Sequence, residues 1–217
     1  MALMTLCPDN SGREQIMFFI YGEPEIEHLK KKDKRLGSAI ERIGIIQRAV
    51  MPDLFAALIN SIVSQQISSK AADTVWVRLC AATGKISPGA IAEIPADEIQ
   101  KCGMSLRKAN YIKGAAEAAL KGDLDIEELR VLSDGEVIRR LSVLHGIGTW
   151  TAEMLLIFSM QRPDVVSWDD LGIRRGMSRL YGHKALTKEQ FIRYKKRYSP
   201  YGTVASLYLW AIASEDH

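Results

Sequence analysis

Residues Leu144–Gly176 read LHGIGTWTAEMLLIFSMQRPDVVSWDDLGIRRG. One short stretch holds two glycines around an isoleucine, a tryptophan, a nearly all-apolar run, two adjacent aspartates and two adjacent arginines. Just upstream, SDGEVIRRLSVL has Ser133 as a helix cap and apolar residues at Val137, Leu141 and Leu144, the spacing of one helical face. The segment therefore reads helix, LHGIG, helix. Gly146 and Gly148 permit positive φ and leave backbone N–H groups uncovered. The helix that follows from Thr149 aims its unbonded N–H groups and its positive end out of the turn. Such a turn suits a phosphate, and Ile147 is expected to tuck inward and lock the two helices. A GxG turn taken alone fits a plain helix–helix connection equally well, so the residues around it decide.

Outward from the turn, the chain reads as helices almost throughout. A helix is expected to start near Pro52–Asp53, with Leu54, Leu58, Ile62 and Gln65/Gln66 on one stripe, proline suiting a first turn and aspartate a cap. Others are expected over about Ser68–Ala82, after Ser87–Pro88, after Pro95, and from the cap Ser105 to the stop Gly122. TAEMLLIFSM reads as a buried helix, and LTKEQFIRYKKRY and TVASLYLWAIAS complete the pattern. Only Gln15–Tyr21 reads as extended. The expectation is an all-α chain of two helical lobes with a cleft between them, one domain over 1–217 with the hairpin in a lobe of about 50–160.

The 217 residues are 47% hydrophobic and 25% charged with a formal net charge of +3, an ordinary globular balance that permits a nucleic-acid partner without demanding one. Cys7, Cys80 and Cys102 are scattered, with no CxxC and no Cys/His cluster, which speaks against zinc, an iron–sulfur cluster or a disulfide framework. MALMTLCPDNSGREQ lacks a basic region followed by a long apolar core, so it does not read as a signal peptide. IMFFIY (Ile16–Tyr21) is too short to span a membrane. An intracellular, reduced, monomeric protein is expected.

LHGIGTWTAEMLLIF followed by DVVSWDDLGIRRG resembles the helix-hairpin-helix (HhH-GPD) DNA glycosylase superfamily. FAALINSIVSQQISSKAA (Phe55–Ala72), CGMSLRKANYIKGAAEA (Cys102–Ala118) and YSPYGTVASLYLWA (Tyr198–Ala211) resemble it as well. The four blocks stand in the family's order across roughly residues 23–213, and the similarity is greatest to the 3-methyladenine DNA glycosylase II branch. The resemblance implies base excision repair: a damaged base in double-stranded DNA is flipped out and its N-glycosidic bond hydrolysed.

That chemistry needs a carboxylate against the sugar, where positive charge grows as the base leaves. Asp169 and Asp170 are the candidates, and both also suit the cap of the helix LGIRRGMSRL. The resemblance places the catalytic position at Asp170, with Asp169 structural. Trp150 stands where strand-nicking relatives carry a Schiff-base lysine, and no lysine lies between Lys121 and Lys184. The resemblance therefore implies a monofunctional enzyme that leaves an abasic site. A tryptophan is also a suitable face for an electron-poor alkylated purine, although a core tryptophan is the plainer reading. With Trp150, Trp168 is expected to line the base pocket; relatives often carry proline at 168.

By resemblance, SQQIS supplies the wedge that fills the gap left by the flipped base, with Gln66 at its tip and Gln65 and Ile67 beside it. The backbone-binding hairpin comprises Leu144, Gly146, Ile147, Gly148, Thr149 and Thr151. The carbonyls of Ser142, Leu144 and Ile147 would hold a structural Na+ or K+, and no other cofactor is implied. Arg107, Lys108, Lys113, Arg174 and Arg175 are candidates to flank the DNA, each as readily solvated surface, with one arginine of the last pair able to brace the carboxylate. Gly202 replaces a basic residue common in the family. Two other readings remain: the same chemistry on hypoxanthine, uracil or 8-oxoguanine, and a non-catalytic DNA-binding module, which leaves Asp170 unexplained.

Overall fold

The structure, a computed structural model, describes residues 16–215; the reading of the first fifteen residues as no signal peptide lies outside them. The described residues form thirteen helices and two two-residue strands, Met17–Phe18 and Ala49–Val50. In chain order the helices are α1 (Glu23–Lys32), α2 (Lys34–Ile43), α3 (Leu54–Ser64), α4 (Ser69–Thr83), α5 (Pro88–Glu93), α6 (Ala96–Lys101) and α7 (Leu106–Lys121). Then come α8 (Ile126–Val131), α9 (Asp134–Leu141), α10 (Thr149–Phe158), α11 (Leu171–Tyr181), α12 (Lys188–Tyr198) and α13 (Gly202–Ser214). The chain is all-α with two helical lobes. One unit is built from Ala49–Met160, and the other from Phe18–Arg48 together with the chain from Gln161 onward. Among the described residues no helix is long and apolar enough to cross a membrane.

The helix starts follow side-chain caps. Asp53, Ser68, Ser87 and Ser105 each accept a bond from the backbone N–H three residues on, satisfying one of the donors a helix start leaves open. Ser133 and Glu136 form a reciprocal capping box at α9. Gly122 ends α7 in the left-handed region, where glycine carries no Cβ penalty. The first lobe is centred on α3, apolar on nearly every side, with Leu58, Ile59, Ile62 and Val63 at 0% exposure. Each such side chain contributes about 1.5–3 kcal/mol on burial, so Ile62→Ala would cost the lobe about 2–5 kcal/mol.

Three helices, α1, α2 and α8, lie outside the expected pattern. α1 (EPEIEHLKKK) buries only Leu29 and α8 (IEELRV) only Leu129, too little apolar signal to stand out. α3 is also shorter than its stripe suggests. It ends at Ser64, which leaves Gln65 and Gln66 in a turn. Lys108 closes this helix end, its ammonium donating to the carbonyls of Val63 (2.8 Å) and Gln65. Cys102 is a free, buried thiol.

Candidate functional site

In the first lobe, α9 runs into the turn after Leu141, and α10 begins after Gly148. The two glycines do different work. Gly146 sits at φ +86, and a Cβ there would collide with the ring of Tyr111, so both conformation and packing require glycine. Gly148 is extended (φ −95, ψ 174) with open space where a Cβ would go. It caps α10 with no side-chain hydrogen bond of its own, at the positive end of the helix. Ile147 is buried as expected, while Gly146, Gly148 and Thr149 are exposed. Leu144 is half-buried, and Thr151 turns its side chain into the lobe. His145 stacks on Tyr111 (centroids 6.2 Å apart), so α7 supports the turn from beneath.

Gln65, Gln66 and Ile67 form the turn after α3. Gln66 has φ +58, a left-handed conformation rare for a residue with a side chain. Its side chain is exposed, and Ile67 is 40% exposed. Backbone strain of this kind persists only where the surroundings enforce it. Two contacts do so: the Lys108 ammonium on the Gln65 carbonyl, and the Gln65 side-chain amide donating to Gly146 O at 2.7 Å. The turn at residues 65–67 and the hairpin are thus one bonded assembly.

Trp150 is 43% exposed, which sets aside the plainer reading of a core tryptophan; Trp76, at 1%, is the one that fills the core. Two candidate DNA-flanking lysines have other tasks. Lys108 braces the turn at residues 65–67, and burial, with Arg107 beside it, lowers its pKa. Lys113 donates to the carbonyls of Ile91, Ala92 and Ile94, closing the C-terminal end of α5. Arg107 and Arg175 are exposed.

The hairpin carbonyls suit a cation of low charge. Among the described residues those of Ser142 and Ile147 accept no hydrogen bond, and that of Leu144 accepts one, from the Ile147 N–H at 3.1 Å. Hard oxygen acceptors with unused lone pairs are what such an ion takes. No group of three or more His, Cys, Asp or Glu able to hold a metal occurs among the described residues.

In the second lobe the two aspartates separate cleanly. Asp169 is exposed; Asp170 is 6% exposed and is the N-cap of α11. Its Oδ1 accepts from the Ile173 N–H at 2.8 Å and from the Trp210 indole N–H at 2.9 Å. Burying a carboxylate is costly unless such donors compensate, and here they also fix its orientation. Trp210 escapes sequence reasoning, because α13 is so apolar that any aromatic on it reads as core.

The segment leading to Asp170 is tied to α13. Thr203 Oγ1 accepts from the Val165 N–H and donates to Arg162 O, and Ser206 Oγ donates to Val165 O. α11 meets α13 at contact distance, since a Cβ on Gly176 would overlap the Leu209 carbonyl. Gly202 has a packing reason of its own: a Cβ there would lie 2.7 Å from Asp164 Oδ1 and 2.8 Å from Val166 Cγ2, so any side chain requires those neighbours to shift.

Trp168 is half-buried and heavily engaged. It meets Phe191 edge-on at 5.1 Å, with the Lys188 ammonium 4.3 Å and the Arg174 guanidinium 5.0 Å from its ring centroid. Arg174 is therefore drawn to the indole. The site residues fall into two sets, each assembled within its own lobe: hairpin, wedge and Trp150 in one, Asp170, Trp168 and Trp210 in the other.

Exposed backbone at the positive end of a helix, beside the turn that exposes Gln66 and Ile67, is an arrangement suited to a phosphate backbone. The chain belongs to the HhH-GPD superfamily of base excision DNA repair proteins, whose pattern matches residues 59–200. It is 38% identical over 161 residues to DNA-3-methyladenine glycosylase 1 of Schizosaccharomyces pombe, covering 72% of this chain and 71% of that protein. Its fold is similar to the crystal structure of a DNA-3-methyladenine glycosidase from Bacillus halodurans, with TM-score 0.83 and 37% identity over 92% of this chain and 93% of that one. It is also similar to the S. pombe 3-methyladenine DNA glycosylase Mag1 in complex with abasic DNA, with TM-score 0.76 and 34% identity over 87% and 95% of the two chains.

Proposed function

We propose that this glycosylase is a monofunctional hydrolase that removes alkylated purines of the 3-methyladenine and 7-methylguanine type from double-stranded DNA, acting inside the cell as a monomer. The observation that carries the reading is the Asp170 carboxylate, buried at the N-cap of α11 with Oδ1 held by Ile173 and Trp210. As the N-glycosidic bond breaks, its electron pair goes to the base and positive charge develops on the sugar. A carboxylate whose donors are already in place stabilises that charge without reorganising. Water then adds at C1′ and releases a proton, giving free base and an abasic site.

The substrate class follows from charge. A purine alkylated at N3 or N7 is cationic and leaves as a neutral molecule, so no general acid is needed. Trp150, exposed at the start of α10, supplies a π face suited to such a cation. Trp168, with Arg174 and Lys188 already at its ring, is a supported wall rather than an open stacking face. Gln66, with Gln65 and Ile67, fills the stack from which the base has turned out. A monovalent cation on the Ser142, Leu144 and Ile147 carbonyls would add positive charge between hairpin and phosphate.

A panel of duplexes, each with one modified base, tests the reading by release of free base. Release from 3-methyladenine and 7-methylguanine duplexes, lost in Asp170→Asn, is the expected result. Release confined to hypoxanthine, uracil or 8-oxoguanine would replace the substrate assignment. Tight duplex binding with no release from any duplex would leave a binding module.

A further inference from the structure

The second lobe holds a cavity of about 500 Å³ that shares no residue with the candidate active site. It forms where α1 gives way to α2 and faces residues of α11 and α12. Lys32, Lys34, Arg35 and Arg197 line it, together with His183, and Asp33 is its one carboxylate. Its wall is aromatic: Tyr181 and Tyr194 stack with centroids 3.7 Å apart and planes 3° from parallel.

Asp33 is already fully engaged. It is buried; Oδ1 caps α2 by accepting from the Arg35 and Leu36 N–H groups, and Oδ2 accepts from the Tyr181 hydroxyl (2.6 Å) and from Arg197 (3.2 Å). Burial pushes the hydroxyls of Tyr181 and Tyr198 far above the ordinary range. They stay protonated, and Tyr198 donates to Tyr181 as Tyr181 donates to Asp33. The single negative charge is therefore matched by Arg197. Lys32 and Lys34 are exposed and, among the described residues, have no ion-pair partner. Arg35 spends one guanidinium nitrogen on Tyr181 O.

Two of the basic residues also stand at the positive end of a helix, which disfavours them, whereas Lys32 lies in the last turn of α1. Lys34 and Arg35 occupy the first turn of α2, where Asp33 at the N-cap is the one acidic group, although the positive end of a helix favours negative charge. With Arg197 matched to Asp33, three cations remain uncompensated in a concavity of ligand-binding size, and they call for an anion.

We propose that this cavity binds phosphate, either a phosphodiester of the duplex outside the lesion or a free phosphate compound. Lys32 and Lys34 supply the charge, Arg35 and Arg197 the directed donors, and His183, bonded to the Tyr194 hydroxyl at 2.7 Å, lies at the ligand. This stands on the geometry of one lobe and is independent of which base the enzyme removes.

Two measurements on the whole protein test it, comparing wild type with Lys32→Gln/Lys34→Gln. Both lysines are exposed, and a melting curve checks the fold. First, inorganic phosphate is titrated at constant ionic strength against chloride while the His183 ring protons are followed by NMR. A saturable shift in wild type, weakened at least about fivefold in the variant, is expected. Second, affinity for an undamaged duplex is measured across a salt series, where each phosphate contact contributes about 0.9 to the slope of log K against log salt. Lys31→Gln/Lys121→Gln, which removes the same charge outside the cavity, is the control. A slope reduced by about one to two units beyond the control identifies the duplex as the source. A saturable phosphate shift with an unchanged slope identifies a free phosphate compound. If phosphate shifts His183 no more than chloride does, and the slope matches the control, the proposal is overturned.

Discussion

The side-chain amide of Gln65 donates to the backbone carbonyl of Gly146 at 2.7 Å across 81 positions of sequence. A residue of the turn after α3 thereby holds the glycine on which the hairpin bends. Gln65→Ala removes this bond without adding bulk. One hydrogen bond contributes about 0.5–1.5 kcal/mol, so affinity for duplex DNA should fall roughly threefold to tenfold. An unchanged affinity by fluorescence anisotropy would mean that the two turns act separately.

The hairpin glycines should respond unequally. Gly146→Ala meets both the positive φ and the Tyr111 ring, so it should lower the melting temperature and weaken binding to damaged and undamaged duplex alike. Gly148→Ala, extended and facing open space, should fold as wild type. Equal destabilisation of the two variants in thermal melts would contradict this account of the turn.

Asp170 should tolerate Asn structurally, since the amide oxygen can still cap α11. Base release should nevertheless drop about a hundredfold or more, as when one preorganised electrostatic group is lost. Trp210→Phe keeps the ring and loses the N–H bonded to Oδ1. A bond to a charged group is worth about 1.5–3 kcal/mol, which predicts a slowing of roughly tenfold to a hundredfold. Near-normal single-turnover rates in Trp210→Phe would remove the indole from the site.

The product should be an intact strand with an abasic site, because Trp150 offers no amine to attack the sugar. Gel analysis after borohydride treatment should show no covalent enzyme–DNA adduct; trapping at lyase levels would refute this.

Ser206→Ala should cost about 1–3 kcal/mol, because Val165 O is left buried without its donor. That corresponds to a melting shift of about 2–4 °C per kcal/mol for a chain this size, measurable by calorimetry.

Much of this architecture is legible in the amino-acid sequence. Asp53, Ser68, Ser105 and Ser133 announce their helices because a cap is a local bond between neighbours in sequence. The inward turn of Ile147 and the N-cap position of Asp170 are local in the same sense. What escapes is set by distant partners. Lys108 and Lys113 look like surface cations, yet they reach carbonyls at the ends of α3 and α5. The left-handed Gln66 and the equivalence wrongly expected of Gly146 and Gly148 have the same origin: Tyr111 and Gln65, which no spacing rule links to them, decide the geometry.

The second lobe is made of two chain segments with the first lobe intervening, and the Met51 N–H donates to Phe158 O at 2.8 Å. The ends of the intervening segment are therefore fastened side by side. Once that segment has folded, a loop of more than a hundred residues behaves as a short one. The chain entropy of bringing Gly44 to the Tyr208 hydroxyl, or Asp33 to Tyr181, has by then been largely spent. The order of synthesis favours the same route: Ala49–Met160 leaves the ribosome as an uninterrupted stretch, and only the arrival of α11 to α13 lets α1 and α2 find their partners.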